Sequence, residues 1–156
     1  MANVKIQKTN DLEHQFLNVL VYGNAGSGKT RLCSTVENGV IISAEGGLLS
    51  LREFDIPFIE VASLKDVQNA YEFLADRTNH SFDWVCIDSL SEVGEVVLAN
   101  EKLNQKDARK AYGELIDRMT NLIRAFRDLP MHVYMTAKVE PLKDELGVNL
   151  WGPSGS

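Results

Sequence analysis

The segment Gly23-Asn-Ala-Gly-Ser-Gly-Lys-Thr30 fits the pattern G-x-x-x-x-G-K-[ST] at every fixed position. The apolar run Phe16-Leu-Asn-Val-Leu-Val-Tyr22 precedes it and predicts a strand, and a helix is predicted to follow near 29–37. Glycines let a backbone wrap closely around an anion, and the N–H groups at a helix start point towards it. The stretch therefore predicts a phosphate-binding loop, or P-loop, which connects a strand to a helix.

The residues of this loop have distinct expected roles in binding ATP and magnesium. Lys29 is expected to reach the β- and γ-phosphates, and the Thr30 hydroxyl is expected to ligate magnesium. The full set expected to contact the nucleotide is Gly23, Asn24, Ala25, Gly26, Ser27, Gly28, Lys29, Thr30 and Arg31. A flexible Gly/Ser turn is the competing interpretation, but at an average glycine usage of about 7% few chains of this length contain the pattern by chance.

A second apolar run, Trp84-Val-Cys-Ile-Asp88, predicts a strand that ends in a carboxylate, which is the Walker B form. Ligands of a doubly wound sheet bind beyond the carboxyl ends of its strands, so Asp88 is expected at the same edge as the P-loop. Its predicted role there is to hold magnesium through a water molecule. The alternative is an ordinary turn aspartate at the surface, and the P-loop upstream favours the metal role.

Apolar runs and amphipathic segments alternate along the chain, which predicts an α/β fold with a mainly parallel sheet of about five strands and helices on both faces. The other predicted strands are Val40–Ala44, Phe58–Val61 and His132–Thr136. Further helices are predicted from Ser63, near Ser91–Asn104 and near Ala111–Asp128. The tail from Val139 to Trp151 predicts a C-terminal β-hairpin that turns at 144–147.

Composition limits the class of protein. The 156 residues, 44% apolar and 24% charged, suit a single domain over 1–156, and its loop-like C-terminus suggests that the core is truncated or interrupted there. With neither an apolar run of about 20 residues nor a signal peptide, we expect a cytoplasmic protein without a membrane partner. Cys33 and Cys86 are interpreted as buried thiols. A net charge of −6 argues against a surface that coats nucleic acid, although a local basic loop remains compatible with it.

Hydrolysis of ATP requires a residue that activates the attacking water, and two glutamates compete for this role. Glu45 follows the second strand, at the expected edge of the sheet, and two glycines come after it. Glu92 lies four residues after Asp88, where it begins the next helix. A carboxylate at a helix start is favourable through the helix dipole alone.

The segment Ser43-Ala-Glu-Gly-Gly-Leu48 resembles the strand-end Asp-Ala-Glu segment of RecA-type ATPases, which carry their catalytic glutamate there. The order of elements also matches, from the P-loop through the glutamate strand and the Asp88 strand to the polar-ended strand. More narrowly, over about 16–151 the chain is similar to phage-encoded RecA-like ATPases that are labelled phage nucleotide-binding or AAA-domain proteins. Some of these act as single-strand annealing recombinases.

This resemblance implies roles for further residues. It implies that Glu45, and not Glu92, activates the water, and that Thr136 senses the γ-phosphate, although the family often has glutamine there. It implies that Lys138 reaches the ATP of a neighbouring subunit in a ring or filament of identical chains, where the alternative is a solvated surface lysine. The strand order expected from the family is third, second, fourth, fifth, first, with the edge beside the first strand bare.

RecA-like proteins bind single-stranded DNA through loops that follow the Walker B strand and the polar-ended strand. In this chain the first such segment, 101–110, has a local charge of +2 and lies close to Tyr112. Cations near an aromatic residue are typical of surfaces that bind single strands. The cations expected to contact DNA are Lys102, Lys106, Arg109 and Lys110. A solvated connection between two helices is the alternative.

The sequence thus favours a slow ATPase that serves phage DNA recombination or annealing and is stimulated by DNA or by self-assembly. A second hypothesis is an assembly module in which ATP joins subunits and turnover is negligible. A third is a small P-loop kinase. The kinase hypothesis is the weakest, because the sequence shows no arginine-rich lid segment and the Glu45 strand resembles that of RecA-type proteins.

Overall fold

The computed structural model describes residues 5, 6, 8, 16–104, 108–143 and 149–153. Its strands are β1 (Asn18–Gly23), β2 (Gly39–Ser43), β3 (Phe58–Glu60), β4 (Trp84–Asp88), β5 (His132–Lys143) and β6 (Asn149–Pro153). Its helices are α1 (Lys29–Leu32), α2 (Leu64–Ala75), α3 (Leu90–Asn104) and α4 (Ala108–Arg127), with 3₁₀ segments at Cys33–Thr35 and Leu48–Phe54. Strands and helices alternate as the pattern of apolar runs predicts.

Five strands form a parallel sheet in the order β1-β5-β4-β2-β3, which is the predicted order. The long strand β5 continues beyond the parallel sheet and pairs antiparallel with β6. This pairing confirms the predicted hairpin, and the turn predicted at 144–147 lies outside the described residues. Within the described part of the chain β1 pairs with β5 alone, so it forms one edge of the sheet. The α/β fold is that of a P-loop NTPase core.

Side chains on the two faces of the sheet belong to two separate cores, because successive residues of a strand point to opposite faces. Ile42 of β2 packs in the larger core with Val67 of α2 and Val97 of α3. Its neighbour Ile41 packs on the other face with Cys33, directly after α1. Helices therefore cover both faces, as predicted, with three on one face and the short α1 on the other.

The helix that follows the P-loop is shorter than the sequence predicts. It was expected to reach Glu37, but α1 ends at Leu32 and continues as a 3₁₀ turn to Thr35. The Ser34 hydroxyl donates to the backbone O of Arg31 at 2.7 Å, and the Thr35 hydroxyl donates to the backbone O of Leu32 at 2.7 Å. Polar side chains that bond to carbonyls three residues back compete with helix propagation, which accounts for the early end.

Helix α2 begins with Ser63 as its N-cap. Its hydroxyl accepts a hydrogen bond from the backbone N–H of Asp66 at 3.2 Å and donates to the Asp66 carboxylate at 2.7 Å. That carboxylate also accepts from the backbone N–H of Ala62 at 3.1 Å. These bonds satisfy orphan donors at the helix start, and the bond to Ser63 is the largest cause of a lowered pKa at Asp66.

None of the helices in the described part of the chain combines the length and the apolar character that crossing a membrane requires.

Candidate active site

The P-loop leaves the sheet at the end of β1 and enters α1 through a backbone that only glycine adopts easily. Gly26 has φ 75° and Gly28 has φ 89°, both in the left-handed region. At Gly23 an added Cβ would lie 3.1 Å from the Ser27 Oγ, so this turn is also sterically tight. The glycines of the motif are thus required by the conformation of the loop, which turns the backbone N–H groups of α1 towards the edge of the sheet.

The Lys29 side chain folds back over this loop. Its Nζ donates to the backbone O of Gly23 at 2.8 Å and to the backbone O of Asn24 at 2.9 Å. The Tyr134 hydroxyl in turn donates to the backbone O of Lys29 at 3.0 Å and connects the start of α1 to β5. The positive charge of Lys29 is therefore held at the loop, as its predicted role requires.

Asp88 connects the P-loop helix to the sheet. Its Oδ2 accepts from the Thr30 hydroxyl at 2.7 Å, and its Oδ1 accepts from the Thr136 hydroxyl at 2.5 Å. Three residues predicted for the site, from α1, β4 and β5, thus meet at one carboxylate. Magnesium prefers oxygen ligands and usually retains several of its waters, so hydroxyl and carboxylate oxygens at the phosphate loop fit this ion.

Sequence reasoning missed Ser43, which lies beside this group. It is the last residue of β2, pairs in register with Asp88 of β4, and is 1% exposed. Its hydroxyl has no hydrogen-bond partner among the described residues. A serine at a strand end carries no sequence signal of its own, and only the register of β2 against β4 reveals its position.

Lys138 contacts both glutamates that compete for the catalytic role. Its Nζ lies 3.2 Å from the Glu45 Oε1 and also donates to the Glu92 Oε1. Its backbone N–H donates to the Ser91 hydroxyl at 3.0 Å, which fixes the chain at this point of β5. Glu45 is the more exposed carboxylate, at 52% of its side chain against 24% for Glu92. The structure thus brings the two candidates to one cation, and the predicted contact of Lys138 with a neighbouring subunit stays a prediction.

Arg31, which was expected to contact the nucleotide, lies against the 3₁₀ segment Leu48–Phe54. Its Nη2 is 2.9 Å from the Glu53 Oε1, and its guanidinium lies 5.1 Å from the ring centroid of Phe54. These contacts join the P-loop helix to the segment that follows Glu45. No pattern in the sequence predicts this segment, because its seven residues form 3₁₀ turns without helical periodicity.

Of the four cations predicted to contact DNA, the structure describes the side chains of Arg109 and Lys110. Both lie in the first turns of α4 and are exposed. Lys106 and the side chain of Lys102 lie outside the described residues. Of the predicted cluster of DNA-contacting cations, the structure thus shows two side chains, both at the start of α4.

Helix α4 packs against α2. The rings of Tyr71 and Phe126 are 5.5 Å apart, and Leu64 and Arg118, which precede them in α2 and α4, line the same groove. Both helices contribute to the larger core, on the face of the sheet opposite to the one that α1 covers.

Cys33 and Cys86 are buried, at 3% and 4% exposure, as the sequence predicts. The expectation of free thiols is wrong, because the two residues form a disulfide. Cys33 follows the P-loop helix and Cys86 lies on β4, 53 residues later. They meet because the 3₁₀ turn that follows α1 packs in one core with β4, an arrangement that their spacing in the sequence does not reveal.

A family model described as an AAA domain matches residues 15–149 of the chain. The matched range contains the strands β1 to β5 and every site residue described above, from the P-loop to Lys138. No curated protein sequence matches the chain significantly.

The ion pairs of Lys138 predict a dependence of stability on alkaline pH. Hydrogen bonding to Glu92, and then to Glu45, raises the pKa of Lys138 above its ordinary value of 10.5. A raised pKa in the folded state means that the pairs stabilise the fold below pH 10.5 and that this is lost as pH rises through the folded-state pKa. We expect Lys138→Met to lower the free energy of unfolding by less than about 1 kcal/mol at neutral pH, because the pairs are partly exposed.

Urea denaturation of wild type and Lys138→Met between about pH 7 and pH 11 measures this difference. The difference should be constant at neutral pH and shrink in the alkaline range. Lys65→Met, at an exposed position of α2, is the matched control and should not show this trend. A difference between wild type and Lys138→Met that stays constant throughout would contradict the assigned pairing.

Proposed function

The chain belongs to the AAA domain family, and on that basis we propose that it is a magnesium-dependent ATPase of the RecA-like class. The observation that carries the proposal is the 2.7 Å hydrogen bond from the Thr30 hydroxyl to the Asp88 carboxylate. It joins the P-loop to the carboxylate at the end of β4, although 58 residues separate the two in the chain. A flexible Gly/Ser turn would have no reason to meet that carboxylate.

The residues that bind ATP divide into an anion site and a metal site. Lys29 and the N–H groups of the P-loop bind the phosphates, where the lysine exchanges its two backbone carbonyl partners for phosphate oxygens. Thr30 and Asp88 are the residues that would hold magnesium, which when bound neutralises charge on the phosphate oxygens. Thr136 keeps the Asp88 carboxylate oriented towards α1 through its own hydrogen bond.

Glu45 is the residue that we assign to the attacking water. Its carboxylate accepts a proton as the water oxygen bonds to the γ-phosphorus, and the bond from that phosphorus to the bridging oxygen of ADP breaks. The products are ADP and inorganic phosphate. Three observations support this assignment. Glu45 lies at the carboxyl edge of the sheet, and its side chain is 52% exposed and therefore accessible to a ligand. Its segment also resembles the one that carries the catalytic glutamate of RecA-type ATPases.

Lys138 is placed to control this glutamate. Its ammonium is shared between Glu45 and Glu92. We propose that Glu92 has a supporting role, because its carboxylate is the more buried of the two and holds Lys138 close to the end of β5.

Coupling to single-stranded DNA and to neighbouring chains completes the proposal, which extends to phage DNA recombination or annealing. Arg109 and Lys110 are exposed at the start of α4, where they could neutralise the phosphates of a bound strand. The β- and γ-phosphate site lies at the carboxyl edge of the sheet, where a neighbouring copy of the chain could complete it. Both features favour a recombination protein over a small-molecule kinase.

The first prediction concerns nucleotide affinity. We expect Lys29→Ala to weaken ATP binding at least about tenfold, because hydrogen bonds to charged groups contribute about 1.5–3 kcal/mol. The fold should survive, since the Lys29 ammonium contacts only loop carbonyls and not the core. Calorimetric titration with ATP measures the affinity, and Lys65→Ala serves as the matched control. Binding by Lys29→Ala as tight as that of wild type would refute the assignment of the phosphate site.

The second prediction separates the two glutamates. Glu45→Gln should retain ATP binding and lose hydrolysis by at least about a hundredfold, the usual contribution of a positioned general base. Glu92→Gln is the matched control and should reduce the rate much less. Steady-state phosphate release measures both variants. The opposite ranking would assign the water-activating role to Glu92, and negligible turnover by wild type would favour the assembly module.

The third prediction concerns assembly and DNA. A cation supplied by a neighbouring subunit can accelerate phosphoryl transfer about a thousandfold, so specific activity should rise with protein concentration or with single-stranded DNA. Lys138→Ala should then lose hydrolysis but retain ATP affinity. The double variant Arg109→Ala/Lys110→Ala should lose DNA stimulation, whereas Lys65→Ala should keep it.

Phosphate release measured over a hundredfold range of protein concentration, with and without an oligonucleotide, tests these statements. Specific activity that stays flat in every condition would refute assembly and DNA coupling together. Stimulation by DNA that is equal in the double variant and in wild type would refute the assigned DNA surface alone.

A further inference from the structure

The Ser43 hydroxyl is a buried polar group without a partner in the described part of the chain. The residue is 1% exposed, and its backbone O accepts a hydrogen bond of 2.9 Å from the N–H of Val61. Burial of an unpaired hydroxyl is unfavourable, and each such group in a folded protein needs an explanation, for example a bound water or ion. The backbone of Ser43 is thus satisfied, and its side chain is the group that still needs a partner.

The direction of this hydroxyl follows from the register of the sheet. Ile41 and Cys86 are paired in β2 and β4 and pack in the core that α1 covers. Ser43 and Asp88 lie two residues further along each strand, so they point to this same face and are also paired. Neighbouring strands lie about 5 Å apart, which places the hydroxyl next to the Asp88 carboxylate.

The Asp88 carboxylate is bonded to two other hydroxyls, and Ser43 is not among its hydrogen-bond partners. Each oxygen of Asp88 accepts from a threonine hydroxyl, one from Thr30 and the other from Thr136. The group therefore has a free acceptor on Ser43, next to oxygens that fit magnesium. Water molecules bound to magnesium donate hydrogen bonds, and this ion usually retains several of them in proteins.

We propose that Ser43 is a positioning residue for a magnesium-bound water, from which its Oγ accepts a hydrogen bond. The inference rests on the proposed function, because it requires magnesium to bind with nucleotide between Thr30 and Asp88. Ser43 acts through the water and touches neither the phosphates nor the metal. Partners of this kind typically change metal affinity about tenfold to a hundredfold when they are removed.

Ser43→Ala tests this inference with two measurements that are expected to change in opposite directions. The first is the melting temperature without ligand, which should rise by roughly 2–4 °C because the penalty of the unpaired hydroxyl is removed. The second is the magnesium enhancement, defined as the ratio of ADP affinities measured by calorimetry in excess magnesium and in EDTA. This ratio should fall about tenfold. The matched control is Ser81→Ala, an exposed serine just before β4.

Each outcome decides between specific alternatives. An unchanged magnesium enhancement in Ser43→Ala overturns the inference even if the melting temperature rises. The buried hydroxyl would then destabilise the fold without contributing to magnesium binding. An equal loss in Ser81→Ala also overturns it, because the effect would not be specific to Ser43. Wild-type protein that binds ADP equally in magnesium and in EDTA overturns the proposed function itself. A loss confined to Ser43→Ala supports both.

Discussion

The Asp88 carboxylate holds together three elements that are remote in the sequence, because each of its oxygens accepts a hydrogen bond from a different threonine. Thr30 belongs to the P-loop helix and Thr136 to β5, and Asp88 ends the strand next to β5. Only four residues of α1 are helical, so this short helix depends on contacts with the sheet. The hydrogen bond to Thr30, the Tyr134 bond to the Lys29 carbonyl and the smaller core supply them.

The charged groups of the site fall into two sets with different partners. Lys29 is satisfied by carbonyls of its own loop, which carry no net charge. Lys138 is satisfied by two carboxylates, Glu45 and Glu92, and its charge is therefore offset. Under the proposed function, phosphate binding would therefore fall mainly to Lys29 and its loop, and control of the glutamates to Lys138 at the end of β5.

Features with a local signal could be predicted from the sequence, and features set by tertiary contacts could not. The P-loop and the Asp88 strand follow from motifs and from the alternation of apolar runs, and the order of the sheet was expected from the resemblance to RecA-type ATPases. The short length of α1 depends on hydrogen bonds from the Ser34 and Thr35 hydroxyls to carbonyls of the preceding turn. Intrinsic helix propensity does not include such bonds. The pairing of Lys138 with Glu45 spans 93 residues, and no periodic pattern relates positions so far apart.

The same limit explains two smaller misses. Cys33 and Cys86 were each predicted to be buried, but the packing of the turn after α1 with β4, which brings them together, cannot be predicted from their spacing. Ser43 was read only as part of the Glu45 strand, because a single serine has no signature and its burial depends on register. Side-chain identity thus predicted the P-loop and the Walker B aspartate, whereas position in the sheet determined the groups that surround them.

The pairing of β1 with β5 makes the site sensitive to the length of a strand. Val21 is opposite Thr136 and Gly23 is opposite Lys138, so the pairing register of β1 and β5 determines how the P-loop lies relative to the polar end of β5. Deletion of one residue early in β5 would move Ala137 into the position of Thr136 opposite Val21, and it would turn each later side chain to the opposite face. Replacement of one residue by another leaves the pairing register unchanged. We therefore expect natural variation in β5 to proceed by exchange of residues, with insertions and deletions confined to the hairpin turn beyond it.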